Sequence, residues 1–530
     1  MFVLNGATRR WRWPRAGALV WMLALSACGG GGGGGDADPN LSVAPGSLES
    51  PTLPAFTPGN DPLESSQWHL NNLLNPGMNR NLAGVTAFGS GVRVALLDQA
   101  VDIWHPDLAP NHLFGLSWSY VKGSTDPSPL AGSDDAHGTA VAGVLAAARN
   151  NSIGGRGVAP DTRFMVYDVI DNPTSTYLAN AVARAQANGA QVVNNSWGPV
   201  TPHYTDSTAH VLWADQVRQA ARSGRDGKGL VFFMAAGNEG NSIGGRNVYG
   251  NLNEMMMVGS VDAQGRPASF STPGAQVLVA APSGATMTDS NEGIVTTDIS
   301  GPRGYNAGDY TNTFKGTSAS TPMASGVAAL MLEMRPELSW RDIRWILAHT
   351  ASPATGVTGE FNTQSGLRFD PRVGFGRLNA SAAISRAATH TLLPAARSCS
   401  SNPSIVNREI PESIDGTSEL RLSFTPGSDC GLQVIEYVSV DLAFSHSYTG
   451  DIEVKLLSPN SSQSTLTQKH SCPRDALNRE VCASLSNGWS FGSVRHLGER
   501  ATGEWVLHLR DRAAGNTGRL KSWRITLHGH

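Results

Sequence analysis

A chain of 530 residues, 40% of them apolar, holds enough material for a large buried core and for more than one domain at about 150 residues per domain. Its formal net charge is −3, from 40 Lys and Arg against 43 Asp and Glu, which argues against a surface built to hold nucleic acid. Of its five cysteines none lies between residues 29 and 398, so that stretch offers no thiol for cysteine-based catalysis.

The N-terminus reads as an export signal over residues 1–27. Arg9, Arg10, Arg12 and Arg15 precede an apolar stretch, Ala18 to Ala24, that is too short to span a bilayer. Leu25-Ser26-Ala27-Cys28 then resembles the lipobox of bacterial lipoproteins. That resemblance implies cleavage before Cys28, lipidation of Cys28, and an exported protein anchored to a membrane. Seven glycines follow at 29–35, and the composition stays rich in Gly, Pro, Ser and Asp to about residue 60. Residues 28–60 are therefore expected to be a disordered tether.

From Asp61 onward apolar strand runs and helical patterns alternate. Strands are expected near 92–98, 164–170, 191–197, 229–237, 255–261 and 276–282. Helices are expected near 139–149, 178–189, 208–223, 318–335 and 339–350. Such alternation predicts an α/β domain with a parallel sheet covered on both faces, whose chemistry collects at the C-terminal ends of the strands. One strand end and two helix starts carry reactive groups. The run Val92-Arg93-Val94-Ala95-Leu96-Leu97 delivers Asp98. His137 opens the small-residue helix His137-Gly138-Thr139-Ala140-Val141-Ala142-Gly143. Ser318, in Gly316-Thr317-Ser318-Ala319 with Pro322 expected in the first helical turn, opens another. A fourth strand, Leu230 to Ala236, ends in Gly237-Asn238.

Asp98, His137 and Ser318, in that order and with these flanking residues, resemble the triad motifs of the subtilisin-like serine peptidases. The resemblance implies that Ser318 attacks the scissile carbonyl, His137 moves the proton and Asp98 holds the imidazole. It further implies that the Asn238 amide and the Ser318 backbone N–H stabilise the oxyanion. Ser196-Trp197-Gly198-Pro199 and Pro336-Glu337-Leu338-Ser339-Trp340-Arg341-Asp342 narrow the likeness to the kexin and furin branch. In that branch Ser196, Trp197 and Gly198 would pair with the substrate backbone as an added strand. The domain is expected to run from 61 to 390, closing at Gly374-Phe375-Gly376-Arg377-Leu378-Asn379. Its relatives carry a folded inhibitory segment before this point, and the roughly thirty residues between Cys28 and Asp61 are too few for such a domain.

The resemblance also implies a structural Ca²⁺. Asp61, Asp107 and the side chain of Asn151 would be ligands, with the main-chain carbonyls of Ala148, Ile153 and Gly155, an all-oxygen set that suits a hard cation. The specificity pockets depart from furin. Gln99, Thr201 and Thr272 stand where that branch places carboxylates, while Asp134 is kept. Fewer counter-charges weaken the hold on Lys or Arg, so strict dibasic cleavage is not expected.

Beyond residues 381–395, which are Ala-rich and then linker-like, the pattern changes to short period-two strands separated by Gly, Asn, Ser and Pro turns, such as Tyr437 to Leu442 and Ile452 to Leu456. This predicts an all-β sandwich over 396–530. Asp451-Ile452-Glu453-Val454 and Gly503-Glu504-Trp505-Val506-Leu507 resemble the P domain, also called Homo B, that follows kexin-type catalytic domains, which implies a jelly-roll-like arrangement. Cys399, Cys430, Cys472 and Cys482 all fall here. In an exported chain they suggest two disulfides, with three pairings open and the local pairs Cys399–Cys430 and Cys472–Cys482 favoured.

The expected function is that of an exported, lipid-anchored serine endopeptidase acting on polypeptides, with processing of other proteins' precursors as one use. An inactive peptide-binding or adhesion protein using the same cleft and β-domain is the alternative.

Overall fold

The computed structural model describes residues 59–71, 87–171, 173–199, 210–240, 245–288, 293–472, 474, 478, 480, 482 and 485–530. The signal, Cys28 and nearly all of the tether lie outside the described residues, as does Thr201.

In chain order the first part comprises α1 (Trp68–Asn71), β1 (Arg93–Asp98), β2 (Trp118–Ser119), α2 (His137–Ala146), β3 (Arg163–Asp168), α3 (Ser175–Ala187), β4 (Val192–Asn195), α4 (Val211–Ser223), β5 (Val231–Ala235), β6 (Met255–Val261) and β7 (Val277–Pro282). After these come β8 (Ile294–Thr297), β9 (Tyr310–Phe314), α5 (Thr317–Met334), α6 (Trp340–Thr350), β10 (Glu360–Phe361), β11 (Arg368–Phe369) and α7 (Ala380–Thr389). Seven strands form one parallel sheet in the order β2-β3-β1-β4-β5-β6-β7. Strands β4 to β7 are buried at every position, as a sheet covered on both faces requires. α5 explains the continuous apolar run after Ser318. Thr317 and every residue from Ala319 to Leu332 are buried, because this helix crosses the middle of the sheet against β4, β5, β6 and β7.

Pro322 corrects one expectation. It is the sixth residue of α5 and so stands in the second turn, where the absent N–H leaves the Ser318 carbonyl without its i+4 donor.

The second part comprises β12 (Arg397–Ser400), β13 (Ser404–Glu409), β14 (Leu420–Phe424), β15 (Ile435–His446), β16 (Ile452–Leu457), β17 (Gln463–Thr467), β18 (Leu485–Ser493), β19 (Trp505–Asp511) and β20 (Gly518–Gly529). One antiparallel sheet runs β12-β20-β15-β18, with β13 also on β20, and a second runs β14-β19-β16-β17. Alternate residues of β16, Ile452, Val454 and Leu456, point into a core shared with Val438, Val440, Ile525 and Leu527 of the other sheet. Cys399 is bonded to Cys430 and Cys472 to Cys482, with Cα separations of 5.5 and 5.2 Å.

The two parts share buried surface. Tyr437, Val494 and Leu497 of the sandwich belong to the core of the first part, and Ala275 of the first part belongs to that of the sandwich. Glu436, 1% exposed, accepts from Arg341 Nε at 3.0 Å and from Arg344 Nη2 at 3.1 Å, both on α6, and from the ring of His530. A second buried cluster joins Asn362 to Ser462 Oγ at 2.9 Å and to Glu499, which also meets His496.

Candidate active site

β1 and α2 bring the first two groups together through close backbone packing. A methyl group at Gly138 would lie 2.5 Å from the Ala100 carbonyl and 2.6 Å from that of Gln99. Only a glycine lets the helix start press on the chain leaving β1. Across the helix, Thr296 and Thr297 of β8 donate their hydroxyls to the carbonyls of Ala140 and Thr139 at 2.9 and 2.7 Å, against a Gly143 with no room for a side chain. The result fixes His137 Nδ1 at 2.7 Å from Asp98 Oδ1, which also accepts the Gln99 N–H at 2.8 Å. Asp98 is fully buried, and its Oδ2 has no hydrogen-bond partner among the described residues. Burial alone would pull the His137 pKa down. The Asp98 charge and hydrogen bond outweigh it, and the net direction is upward.

Ser318 is the second residue of α5. Gly316 before it has φ +85°, and a methyl group there would crowd Asn238 Nδ2 at 3.1 Å. The Ser318 hydroxyl donates to the main-chain carbonyl of Ser196 at 2.9 Å rather than to His137. In a protein without substrate such hydrogen bonds are commonly loose and tighten when the substrate arrives. Asn238 is held by its oxygen, which accepts from Thr317 N at 2.9 Å and Thr317 Oγ1 at 3.0 Å. Its amide nitrogen has no acceptor among the described residues, so the donor end is free to face the site.

Ser196, Trp197 and Gly198 continue beyond the end of β4, outside any strand pairing of the sheet. Gly198 is exposed, whereas the Trp197 ring is buried edge-on to Trp213 and Tyr249. Among the described residues no strand pairs with this main chain, while the indole serves the core. Beside Ser318 a cavity of about 290 Å³ is bounded by Trp197, Gly198, Gly237, Asn238, Glu239 and Thr272, among others. Glu239 is a carboxylate that the sequence reading passed over. Its Oε2 accepts from Thr272 Oγ1 at 2.5 Å, so Thr272, standing where the related branch has an acid, positions another acid beside the pocket. Gln99 likewise reaches an acid, donating to Asp171 Oδ1 at 2.9 Å. The adjacent Asp168 is pushed up to about 6, mainly by burial.

The residues expected to hold calcium come together around the loop after α2. Both oxygens of Asp61 are taken by the loop's N–H groups, from Asn150 at 2.7 Å, Asn151 at 2.9 Å and Ser152 at 3.1 Å. Asn151 turns its amide nitrogen, not its oxygen, toward Asp107 Oδ1 at 2.8 Å, and its oxygen accepts the Ile153 N–H. Asp107 is fully buried, and among the described residues its Oδ2 has no donor within hydrogen-bond distance, although the Tyr310 phenol and the Gly155 N–H lie near enough to lower its pKa. Burial first, then the neighbouring Asp61 charge, push it up to about 7 against the pull of its hydrogen bonds. No main-chain N–H among the described residues donates to the carbonyls of Ala148, Ile153 or Gly155. Among the described residues no group of three or more His, Cys, Asp or Glu side chains converges, so a cation here would depend on main-chain oxygens.

Residues 89–376 match the family profile described as the subtilase family, and residues 435–527 that of the proprotein convertase P-domain. The chain is 32% identical over 483 residues to human proprotein convertase subtilisin/kexin type 7, covering 89% of this chain and 60% of that protein. It is 30% identical over 486 residues to the dibasic-processing endoprotease of Schizosaccharomyces pombe, covering 88% of this chain and 65% of that protein. It therefore spans less than two thirds of the length of both. Among solved structures, the serine protease of Aeromonas sobria in complex with a chaperone aligns with a TM-score of 0.79 at 25% identity, over 90% of this chain and 96% of that one.

Proposed function

The chain belongs to the subtilase family, and from that premise we propose that it is a serine endopeptidase hydrolysing peptide bonds in polypeptides. The observation that carries the reading is the His137 Nδ1–Asp98 Oδ1 hydrogen bond of 2.7 Å, formed where the end of β1 meets the start of α2. In this reading Asp98 fixes the tautomer that leaves His137 Nε2 free to accept a proton. Ser318 Oγ leaves the Ser196 carbonyl, gives its proton to His137 and attacks the scissile carbonyl. The developing oxyanion is met by the Asn238 amide and the Ser318 N–H. His137 then protonates the leaving amine, and water repeats the cycle on the acyl-enzyme. Ser196 and Gly198 supply main-chain groups to the bound peptide. The relatives' names, a proprotein convertase and a dibasic-processing endoprotease, favour processing of other proteins' precursors as the use. Replacing Ser318 by Ala tests the assignment. The variant should fold and lose nearly all hydrolysis of casein, and undiminished cleavage would refute it.

The residues around Asp107 fit a Ca²⁺. Among the described residues, a buried carboxylate and three main-chain carbonyls that accept no main-chain N–H form a hard-oxygen set. Asp107, Ala148, Ile153 and Gly155 would hold the ion, with Asn151 joining once its amide is reversed. Asp61 shapes the loop that carries them. The ion would supply the positive charge that a buried Asp107 lacks. The lipid anchor at Cys28 is proposed on the sequence pattern alone. Cys28→Ser should release an active enzyme from membranes, and a variant that still sediments with them would refute the anchor.

A further inference from the structure

The segment 298–309, between β8 and β9, is built around two aspartates. Asp298, fully buried, accepts the N–H groups of Ile299 at 2.8 Å, Tyr305 at 3.1 Å and Asn306 at 2.8 Å. Asp309 accepts the Gly301 N–H at 3.0 Å, and its carbonyl meets His105 Nε2 at 2.8 Å. Ser300 N donates to Asp102 Oδ2 at 3.1 Å, and Arg303 reaches the Ser133 carbonyl in the loop that leads to His137. Gly304 has φ +99° and lies so close to Asp298 that no side chain fits. So many fixed points hold the segment in one conformation. What it presents is Tyr305, 44% exposed, whose ring lies 5.8 Å from that of Phe314. Phe314 in turn meets the edge of the His137 ring at 5.6 Å.

The cavity beside Ser318 includes neither His137, Phe314 nor Tyr305. The aromatic pair is therefore a surface separate from that cavity, and it runs along the His137 ring that in this reading hands its proton to the leaving amine. Resting on the endopeptidase reading above, we propose that Tyr305 is a specificity-determining residue for the leaving-group side of the substrate, packing an apolar side chain from the residues just after the scissile bond. A ring held at fixed height beside a buried phenylalanine gives such a side chain a flat apolar surface with little ordering cost, and the phenol can meet a main-chain carbonyl.

The test compares the full chain with its Tyr305→Ala and Tyr305→Phe variants on a proteome-derived peptide library, with cleavage sites mapped by mass spectrometry. The best acyl portion is then assayed as an anilide, which has no residue after the cleaved bond. The parent should favour apolar residues in the first two positions after the bond. Tyr305→Ala should lose that preference, with kcat/KM on such peptides falling about tenfold, the scale of one apolar contact. Preferences before the bond should stay, and anilide hydrolysis should change by no more than about twofold. Tyr305→Phe should keep the parent's preference. Equal losses on peptide and anilide, a loss confined to positions before the bond, or no change at all would each overturn the proposal. A parent that cleaves nothing defeats the endopeptidase reading itself and this inference with it, whereas an active parent with an unaltered Tyr305→Ala profile defeats only the latter.

Discussion

Thr317 grips Asn238 by its oxygen, with its N–H at 2.9 Å and its hydroxyl at 3.0 Å, and so leaves the amide nitrogen as the end available to donate. An oxyanion donor is useful only if it is already aimed when charge develops, and this pair of hydrogen bonds does the aiming. Asn238→Ala should lower kcat by about 10²–10³ with KM within about twofold. Thr317→Val keeps the N–H and the shape but removes the hydroxyl, and should lower kcat in the same direction by a smaller factor of about ten. Steady-state kinetics on one peptide substrate would check both. A Thr317→Val variant with a raised KM and unchanged kcat would contradict the positioning role.

The pKa of His137 is raised above its ordinary value, because Asp98 outweighs burial. The imidazole must be neutral to accept a proton, so kcat/KM should fall as pH drops through a value above the usual ~6.5 of histidine. Asp98→Asn should move that fall to lower pH while cutting kcat severely. For stability the sign is opposite. A group whose folded value is raised stabilises most below its unfolded value and loses that contribution as pH rises through the folded one. The melting-temperature gap between the parent and Asp98→Asn should therefore be wider at pH 5.5 than at pH 9. A gap that widens with pH would show that Asp98 does not raise His137.

Calcium should stabilise the fold by mass action, since the loop at 148–155 holds its oxygens together only when folded. Chelation should lower the melting temperature of the full chain, and Asp107→Asn should abolish that dependence. Identical melting curves with and without chelator would remove the ion from this site.

Glu436 ties the sandwich to α6. Burial alone would raise its pKa, but His530, Arg344 and Arg341 together bring it down to about 2. Set against the ordinary 4.5, that shift contributes on the order of 3 kcal/mol, present above pH 4.5 and lost as pH falls toward 2. Glu436→Gln leaves two guanidinium groups with a poorer buried partner and should destabilise by about 3–5 kcal/mol near neutral pH. Thermal melting at pH 7 and pH 3 should show the difference shrinking in acid. A difference of the same size at both would mean that the charge is not what matters.

Much of the first part was legible because its strands and helices carry their own periodic or continuous apolar patterns. β1, expected at 92–98, spans Arg93–Asp98, and α5, expected at 318–335, spans Thr317–Met334. The motifs at Asp98, His137 and Ser318 were legible for a different reason, since each is a short run in which small residues permit a close approach, as Gly138 and Gly316 do. What escaped notice rests on pairings between distant positions. Glu436 meets Arg341 across 95 residues and Glu499 meets Asn362 across 137, and neither has a local signature. Glu239 and Tyr305 read locally as an ordinary acid and an ordinary loop aromatic. Only the fold sets one beside the cavity and the other beside Phe314 and His137. Pro322 was misplaced by a turn because helix starts blur where Gly316 and Thr317 leave the cap without a side-chain bond.

The central claim is that Ser318 is a nucleophile activated by His137. Its most direct test is to treat the full chain with a fluorophosphonate and map the adduct by peptide mass spectrometry, beside His137→Ala and Ser318→Ala. A single phosphonylated serine, Ser318, should form at a rate that falls steeply in His137→Ala, with no adduct in Ser318→Ala. Labelling that is absent from the parent, or that persists unchanged in Ser318→Ala, would contradict it.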